Sequence, residues 1–227
     1  MSRPRVGVLA LQGDVREHAQ ALERCGARTV AVRSPADLRG LAGIVLPGGE
    51  STTVSMLLVR EGLAQPLAGE LRAGLPALAT CAGLIVLARQ VLDGRPDQHV
   101  CGVLDVVVRR NAFGRQVASF ERPVDIAVLG PVAFPGVFIR APWLESVGPQ
   151  VEVLAHVADA DGHPRAVMVR QGAVIGTSFH PELTADDRVH ALLLGRCTAP
   201  SGTSTGAGAA GAAAPQVPAA AVPLGVG

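Results

Sequence analysis

Leu75-Pro76-Ala77-Leu78-Ala79-Thr80-Cys81-Ala82-Gly83-Leu84-Ile85-Val86-Leu87 reads as an apolar strand running straight into a helix, with a cysteine at the junction. Small residues at 82 and 83 let such a turn close sharply, so the residue at its apex stands at the carboxyl edge of a sheet. A helix start there favours a thiolate, and the N–H that follows the apex points to where an oxyanion would develop. On this stretch alone two readings stay open, an activated nucleophile and a buried structural cysteine. Cys25, Cys101 and Cys197 lack the setting and read as structural.

Working outward, the first half alternates strands and helices. Strands are predicted at 6–11, 29–32, 43–46 and 75–80, and helices at 14–25, 51–61 and 82–91. Helix 14–25 carries Val15, Ala19 and Leu22 on one face and stops at Gly26; Ser51, Thr52 and Thr53 are available to cap the next helix. This pattern predicts an α/β fold with a central, mostly parallel sheet flanked by helices. The second half is richer in β, with strands predicted at 102–109, 124–128, 137–140, 151–157, 165–170 and 173–178. A hairpin is expected around Gln171-Gly172, and a last helix at 185–194. One domain over 1–197 is expected. Residues 198–227 form an uncharged Ala/Gly/Pro stretch, read as a flexible tail.

Composition excludes several functions. Among 227 residues, 20 basic groups face 19 acidic ones, for a net charge of +1, which argues against nucleic acid as a partner. Every basic residue is Arg, so neither a lysine Schiff base nor a phosphate-loop lysine exists in this chain. Aromatic residues make up 3% and Tyr is absent, so the core must be built of Val, Leu, Ile and Ala, as in helices packed on a buried parallel sheet. The four cysteines show no CxxC and no zinc-type spacing, so no metal and no disulfide framework is expected, and sparse thiols fit a reducing cytoplasm. No apolar run approaches the ~20 residues of a membrane span, and the one at 6–11 is too short for a signal peptide.

A thiolate nucleophile needs a proton carrier, and His180 stands out among the six histidines. In Gly176-Thr177-Ser178-Phe179-His180-Pro181-Glu182 it ends a predicted strand, and Glu182 lies two residues on, pointing the same way in extended chain. Glu182 would orient the ring as a triad carboxylate does; a surface histidine beside a helix-starting Glu is the alternative. His18, His99, His156, His163 and His190 lack such neighbours and read as surface or packing residues. Leu46-Pro47-Gly48-Gly49-Glu50-Ser51 ends a strand and opens a helix; its glycines let the backbone approach a ligand, and the helix start offers N–H donors. It is either a second oxyanion donor and a cradle for a small carboxylate substrate, or a plain turn. The stretches 109–116 and 139–142 each bring arginine able to grip a carboxylate or to sit in solvent.

Together these segments resemble class I, triad-type glutamine amidotransferases and, more narrowly, the family of glutaminase subunits of pyridoxal 5′-phosphate synthases. The matching stretches are Gly7 to Gly13 with Arg16-Glu17-His18, Leu46 to Thr53, Thr80 to Leu84, Arg110 to Gln116, Phe138 to Pro142 and Ser178 to Thr184. The resemblance implies a flavodoxin-like domain and a catalytic triad of Cys81, His180 and Glu182. It implies glutamine binding by Gly48, Gly49, Glu50, Arg110, Ile139 and Arg140, oxyanion N–H groups from Gly49 and Ala82, and no cofactor. The implied partner is a (β/α)₈ synthase subunit that receives ammonia and makes the vitamer from ribose 5-phosphate and glyceraldehyde 3-phosphate. Gln12 becomes a candidate sensor of that partner. The tail after 197 and Ala112 depart from the family pattern. Rival readings are the glutaminase of another class I amidotransferase, a stand-alone γ-glutamyl hydrolase, and a non-catalytic module of the same fold.

Overall fold

The computed structural model describes residues 3–110 and 119–198. The elements run β1 (Arg5–Leu9), α1 (Val15–Arg24), β2 (Arg28–Val32), β3 (Gly43–Leu46), α2 (Ser51–Arg60), α3 (Ala64–Arg72), β4 (Ala77–Thr80), α4 (Ala82–Leu87) and β5 (Ala88–Leu92). They continue with β6 (Leu104–Arg109), β7 (Ser119–Val124), β8 (Phe134–Ile139), β9 (Trp143–Val147), β10 (Glu152–Ala158), β11 (Pro164–Gln171), β12 (Val174–Thr177) and α5 (Arg188–Cys197). Among the described residues the main sheet has ten strands, ordered β2-β1-β3-β4-β12-β11-β9-β6-β5, with β10 also on β11. The five strands from β2 to β12 are parallel, while β11 and β9 join antiparallel. Strands β7 and β8 form a separate antiparallel pair. The expected flavodoxin-like α/β layout is therefore present, with the extra β structure in the later part.

Side chains alternate across each parallel strand, and this alternation builds two cores. Leu9, Ile44, Leu46, Ala77, Ala79 and Val174 face α2, α3 and α4 with Val54, Leu58, Leu67 and Leu84. Val6, Val8, Val45, Leu78 and Ile175 face the other way, toward Leu22 of α1, Val189 and Leu193 of α5, and the phenylalanines of β8. Near-continuous apolar strands are what a sheet covered on both faces requires.

Several boundaries differ from the sequence reading. The helix expected at 82–91 stops at Leu87, and the chain turns into β5, whose β-branched and long side chains pair with β6. Helix α3 and strand β9 were not foreseen. The strand expected at 124–128 instead ends at Val124 and gives way to a 3₁₀ turn at Ala127–Leu129. The cap of α2 is neither Ser51 nor a threonine. Glu50 accepts N–H bonds from Thr52 at 3.2 Å and Thr53 at 2.7 Å, its carboxylate complementing the positive helix start. The stripe of α1 centres on His18, Ala21 and Leu22, with Val15 and Ala19 only partly covered. The tail expected at 198–227 lies, from 199 on, outside the described residues, as does 111–118.

Helix α4 reaches the sheet only because residue 83 has no side chain: a Cβ there would lie 2.2 Å from the Leu46 carbonyl oxygen of β3. Backbone on both sides leaves no flexible group to yield. Overpacking costs ~1–3 kcal/mol and alanine's better helix propensity returns about 1. Gly83→Ala should therefore lower stability, measured by urea denaturation, and lower activity with it, because the same turn carries Cys81; an unchanged midpoint would show that the helix has room to move.

Candidate active site

The parallel strands end on one edge, and each carboxyl end delivers a piece of the site, as is general for open α/β sheets. β1 leads to Gln12, Gly13 and Asp14, β3 to Gly48 and Gly49, β4 to Cys81, and β12 to His180. β4 and β12 are neighbours, with Thr80 opposite Thr177, and Cys81 N–H donates to the Thr177 carbonyl at 2.8 Å. Cys81 then adopts φ 46°, ψ −99°, an uncommon conformation for a residue with a side chain. This is the strained strand-to-helix apex expected from 75–87. The thiol is buried, and its Sγ lies 4.0 Å from the Ile139 carbonyl oxygen.

His180 is fixed from three sides. Phe179, fully buried, packs on Phe134 and Phe138 at ring distances of 5.6 and 5.7 Å and anchors the exit of β12. The His180 N–H donates to the Val137 carbonyl of β8 at 2.8 Å, so the small β7–β8 sheet holds this segment. The imidazole Nδ1 is 2.7 Å from Glu182 Oε1 and 3.5 Å from Asp14 Oδ2, while Nε2 has no hydrogen-bond partner among the described residues. Burial opposes charging of the ring, but Asp14, Cys81 and Glu182 outweigh it and raise the His180 pKa to about 12. Burial likewise opposes charge on Glu182, yet His18 and His180 hold its carboxyl below the usual range.

Gln12, Asp14, Gly49, Glu50, Cys81, Arg110, Ile139, Arg140 and His180 line one cavity of about 280 Å³, at the small end for ligand sites. Arg110 bonds Glu50 Oε1 at 3.0 Å and Thr52 Oγ1 at 3.1 Å, so the capping carboxylate of α2 also aims the guanidinium. Arg140 sits at φ 43° beside Ile139. Gly48 touches the site from behind, since a Cβ there would be 2.3 Å from His180 Cε1. Gly49 has φ 152°, and the next amide, that of Glu50, donates to Gln12 Oε1 at 2.8 Å. Ala82 begins α4 directly after the sulfur. The expected residues within the described chain thus lie in or against this one cavity. Of the expected arginine stretch, Arg109 instead pairs with Asp93 and Glu145 away from it, and Asn111 to Gln116 lie outside the described residues.

A larger cavity of about 670 Å³ opens at Leu75, Pro76, Ala173 and Cys197, among the amino-terminal ends of the strands, but no histidine accompanies that cysteine. Asp14, His180 and Glu182 bring ligand-type atoms within 4.8 Å of one another, as do Asp159, Asp161 and His163. In the first group the imidazole and carboxylate already bond each other, and in the second Arg165 holds Asp159 at 2.8 Å.

Sequence reasoning missed Asp14, His18 and His190. His18 and His190 are fully buried, and their rings join Nδ1 to Nε2 at 2.9 Å. The signal was helical spacing: His18 precedes Ala21 and Leu22, and His190 precedes Leu193 and Leu194, each on a buried stripe.

Residues 8–199 match the family model described as SNO glutamine amidotransferase family. The chain belongs to the SNO glutamine amidotransferase family. It is 57% identical over 195 residues to the pyridoxal 5′-phosphate synthase subunit PdxT of Frankia casuarinae, covering 86% of this chain and 95% of that one. The protein of the same name from Nocardia farcinica is 57% identical over 196 residues, covering 85% of each. A crystal structure of a glutamine amidotransferase superposes with a TM-score of 0.78 at 47% identity, covering 85% of this chain and 98% of that one. PurLQS from Thermotoga maritima, at 17% identity and TM-score 0.62 over 86% of this chain and 99% of that one, shares the fold. Like its family, this chain is a glutamine amidotransferase enzyme.

Gly48→Ala should displace the His180 ring and lower glutaminase kcat by about 10²-fold, the usual cost of a misplacement near 1 Å; wild-type kcat would show that the ring has slack. The buried His190 is held neutral, its pKa lowered to about 3 from 6.5 by burial first and His18 second. Below pH 6.5 the unfolded state binds the proton and the folded state does not, so stability falls on acidification. The His180 contribution is fully present below pH 6.5, and that of Glu182 fades only below pH 4.5, so the slope between these values belongs to His190. His190→Leu should flatten it in thermal melts taken across that range.

Proposed function

We propose that the chain hydrolyses L-glutamine to L-glutamate and ammonia through Cys81, His180 and Glu182, as the glutaminase subunit of a pyridoxal 5′-phosphate synthase. The observation that carries the reading is the 2.7 Å His180–Glu182 pair, whose histidine lines the same cavity as the strained Cys81. The names of the relatives at 57% identity supply the pathway.

The raised His180 pKa keeps a proton on the ring for the leaving group, and Cys81 attacks as the thiolate. The sulfur attacks the side-chain amide carbon of glutamine and forms a C–S bond. N–H groups of Ala82 and Gly49 receive the negative oxygen; losing one such donor typically costs ~10²–10³ in rate. The intermediate collapses with cleavage of the C–N bond, and His180 gives its proton to the departing nitrogen, releasing ammonia. Neutral His180 then takes a proton from water, the hydroxide attacks the thioester, and glutamate leaves as the thiolate and imidazolium return. Arg110, aimed by Glu50, and the Ile139-Arg140 segment hold the substrate, with Gly48 and Gly49 shaping the cavity wall.

The Gln12 bond to the Glu50 amide ties down the loop that bears Gly49. Docking of the synthase subunit, a (β/α)₈ barrel, releases or re-sets this loop, so that ammonia forms only where it is consumed. Residues 1–197 are the catalytic unit, and the complex works in the cytoplasm.

Cys81→Ala should abolish glutamate release, measured with the synthase subunit present, while circular dichroism stays native. Wild-type protein should turn over glutamine at least about ten times faster with the partner than alone. Glutamate production by the alanine variant would overturn the nucleophile, and equal turnover with and without partner would remove the gating.

A further inference from the structure

The triad carboxylate is held from behind by a second pair of histidines. The Glu182 side chain is completely buried; its Oε1 receives His180 at 2.7 Å, and its Oε2, which has no hydrogen bond among the described residues, lies 3.3 Å from Nε2 of His18, whose side chain is equally buried. His18 comes from α1 and also lies 3.3 Å from the Thr80 hydroxyl, the residue before Cys81. Its Nδ1 meets His190 Nε2 of α5 at 2.9 Å, and His190 Nδ1 has no partner. Two helices that pack on the same face of the sheet thus each spend a core position on an imidazole.

The contacts constrain the protons. Ring nitrogens 2.9 Å apart must share one proton. If neutral His18 kept its proton on Nδ1, its bare Nε2 would face the Glu182 oxygen, and two acceptors would confront each other in a dry interior. The proton on Nε2 removes that conflict. His190 then donates to His18, and the Nε2–H of His18, hydrogen-bonded to the Thr80 hydroxyl, lies beside Glu182 Oε2 at 3.3 Å.

We infer that His18, backed by His190, is a positioning residue for the reaction: it keeps the Glu182 carboxylate charged and turned so that Oε1 holds His180 Nδ1 and leaves Nε2 for the sulfur. The inference rests on the triad proposed above. A purely space-filling role is the competing account, because both rings lie on apolar helix stripes. Leucine fills either position without offering an N–H, whereas glutamine offers an amide N–H near the place of Nε2.

Glutaminase kinetics of the full chain assembled with its synthase subunit separate the two. His18→Leu should lower kcat by about 10–100-fold, the consequence of replacing the polar neighbour of a buried charged oxygen by an apolar one, with KM within about twofold because His18 does not touch glutamine. His18→Gln should recover most of the loss. His190→Leu should lower kcat by about 3–10-fold, and adding it to His18→Leu should cost nothing more, since it acts through His18. Wild-type kcat in His18→Leu, or a glutamine variant no better than the leucine one, overturns the inference. Should His18→Leu fail to fold, a wild-type kcat in His190→Leu removes the relay in its place. His180→Asn tests the underlying triad separately: if it is inactive while His18→Leu is unaffected, only the positioning role falls, and if it is active the triad itself falls.

Discussion

The site depends on the pairing of β4 with β12. These strands come from opposite halves of the chain, yet they lie side by side and parallel, with Thr80 opposite Thr177. That register brings the residue after one strand, Cys81, beside the segment that follows the other, which carries His180. A slip of one residue would move Leu78 and Ile175 out of the core they fill and turn Ala79 and Gly176 into it, so hydrophobic burial on both faces enforces the register. The geometry of the reacting atoms is thus inherited from an apolar core that has no chemistry of its own.

Polar groups in that core come at a cost that their mutual contacts offset. Glu182, His180, His18 and His190 are all buried, and each would be unfavourable alone. In sequence they bond one another, and the charges that form are paired: Glu182 with His180 on one side and His18 on the other. The network is not fully closed: among the described residues His180 Nε2, Glu182 Oε2 and His190 Nδ1 have no hydrogen-bond partner, so the paired charges and not complete satisfaction offset the burial. Local strain is stored beside it, at Cys81 with φ 46° and Arg140 with φ 43°, both lining the cavity. Strain and buried charge concentrate where the chemistry is, while the sheet and its helices supply the burial that tolerates them.

The parallel half of the fold was legible because its strands are short apolar runs separated by amphipathic helices and glycine turns. The misreadings have local causes. Continuation of α4 to Val91 follows the apolar pattern, but pairing with β6 offered a competing use for those residues, and tertiary contact won. The strand expected at 124–128 fits β propensity, yet it had no partner beyond Val124, where β8 begins. Glu50 shows how a motif is read too narrowly: it caps α2 and orients Arg110, two duties that a scan for serine and threonine caps passes over.

By itself the sequence determined the cysteine at a strand–helix apex, the His-x-Glu spacing two residues apart and the double glycine between strand and helix, because these are short-range patterns that a few neighbouring residues specify; the class of chemistry came from the resemblance that six such stretches carry together. Only the tertiary structure decided that Asp14 approaches the back of His180, that Gln12 holds the glycine loop, and that His18 and His190 stand behind Glu182. Those contacts join α1, α5 and the ends of β1, β3 and β12, and no local pattern encodes a distance between side chains that meet only once both faces of the sheet are packed.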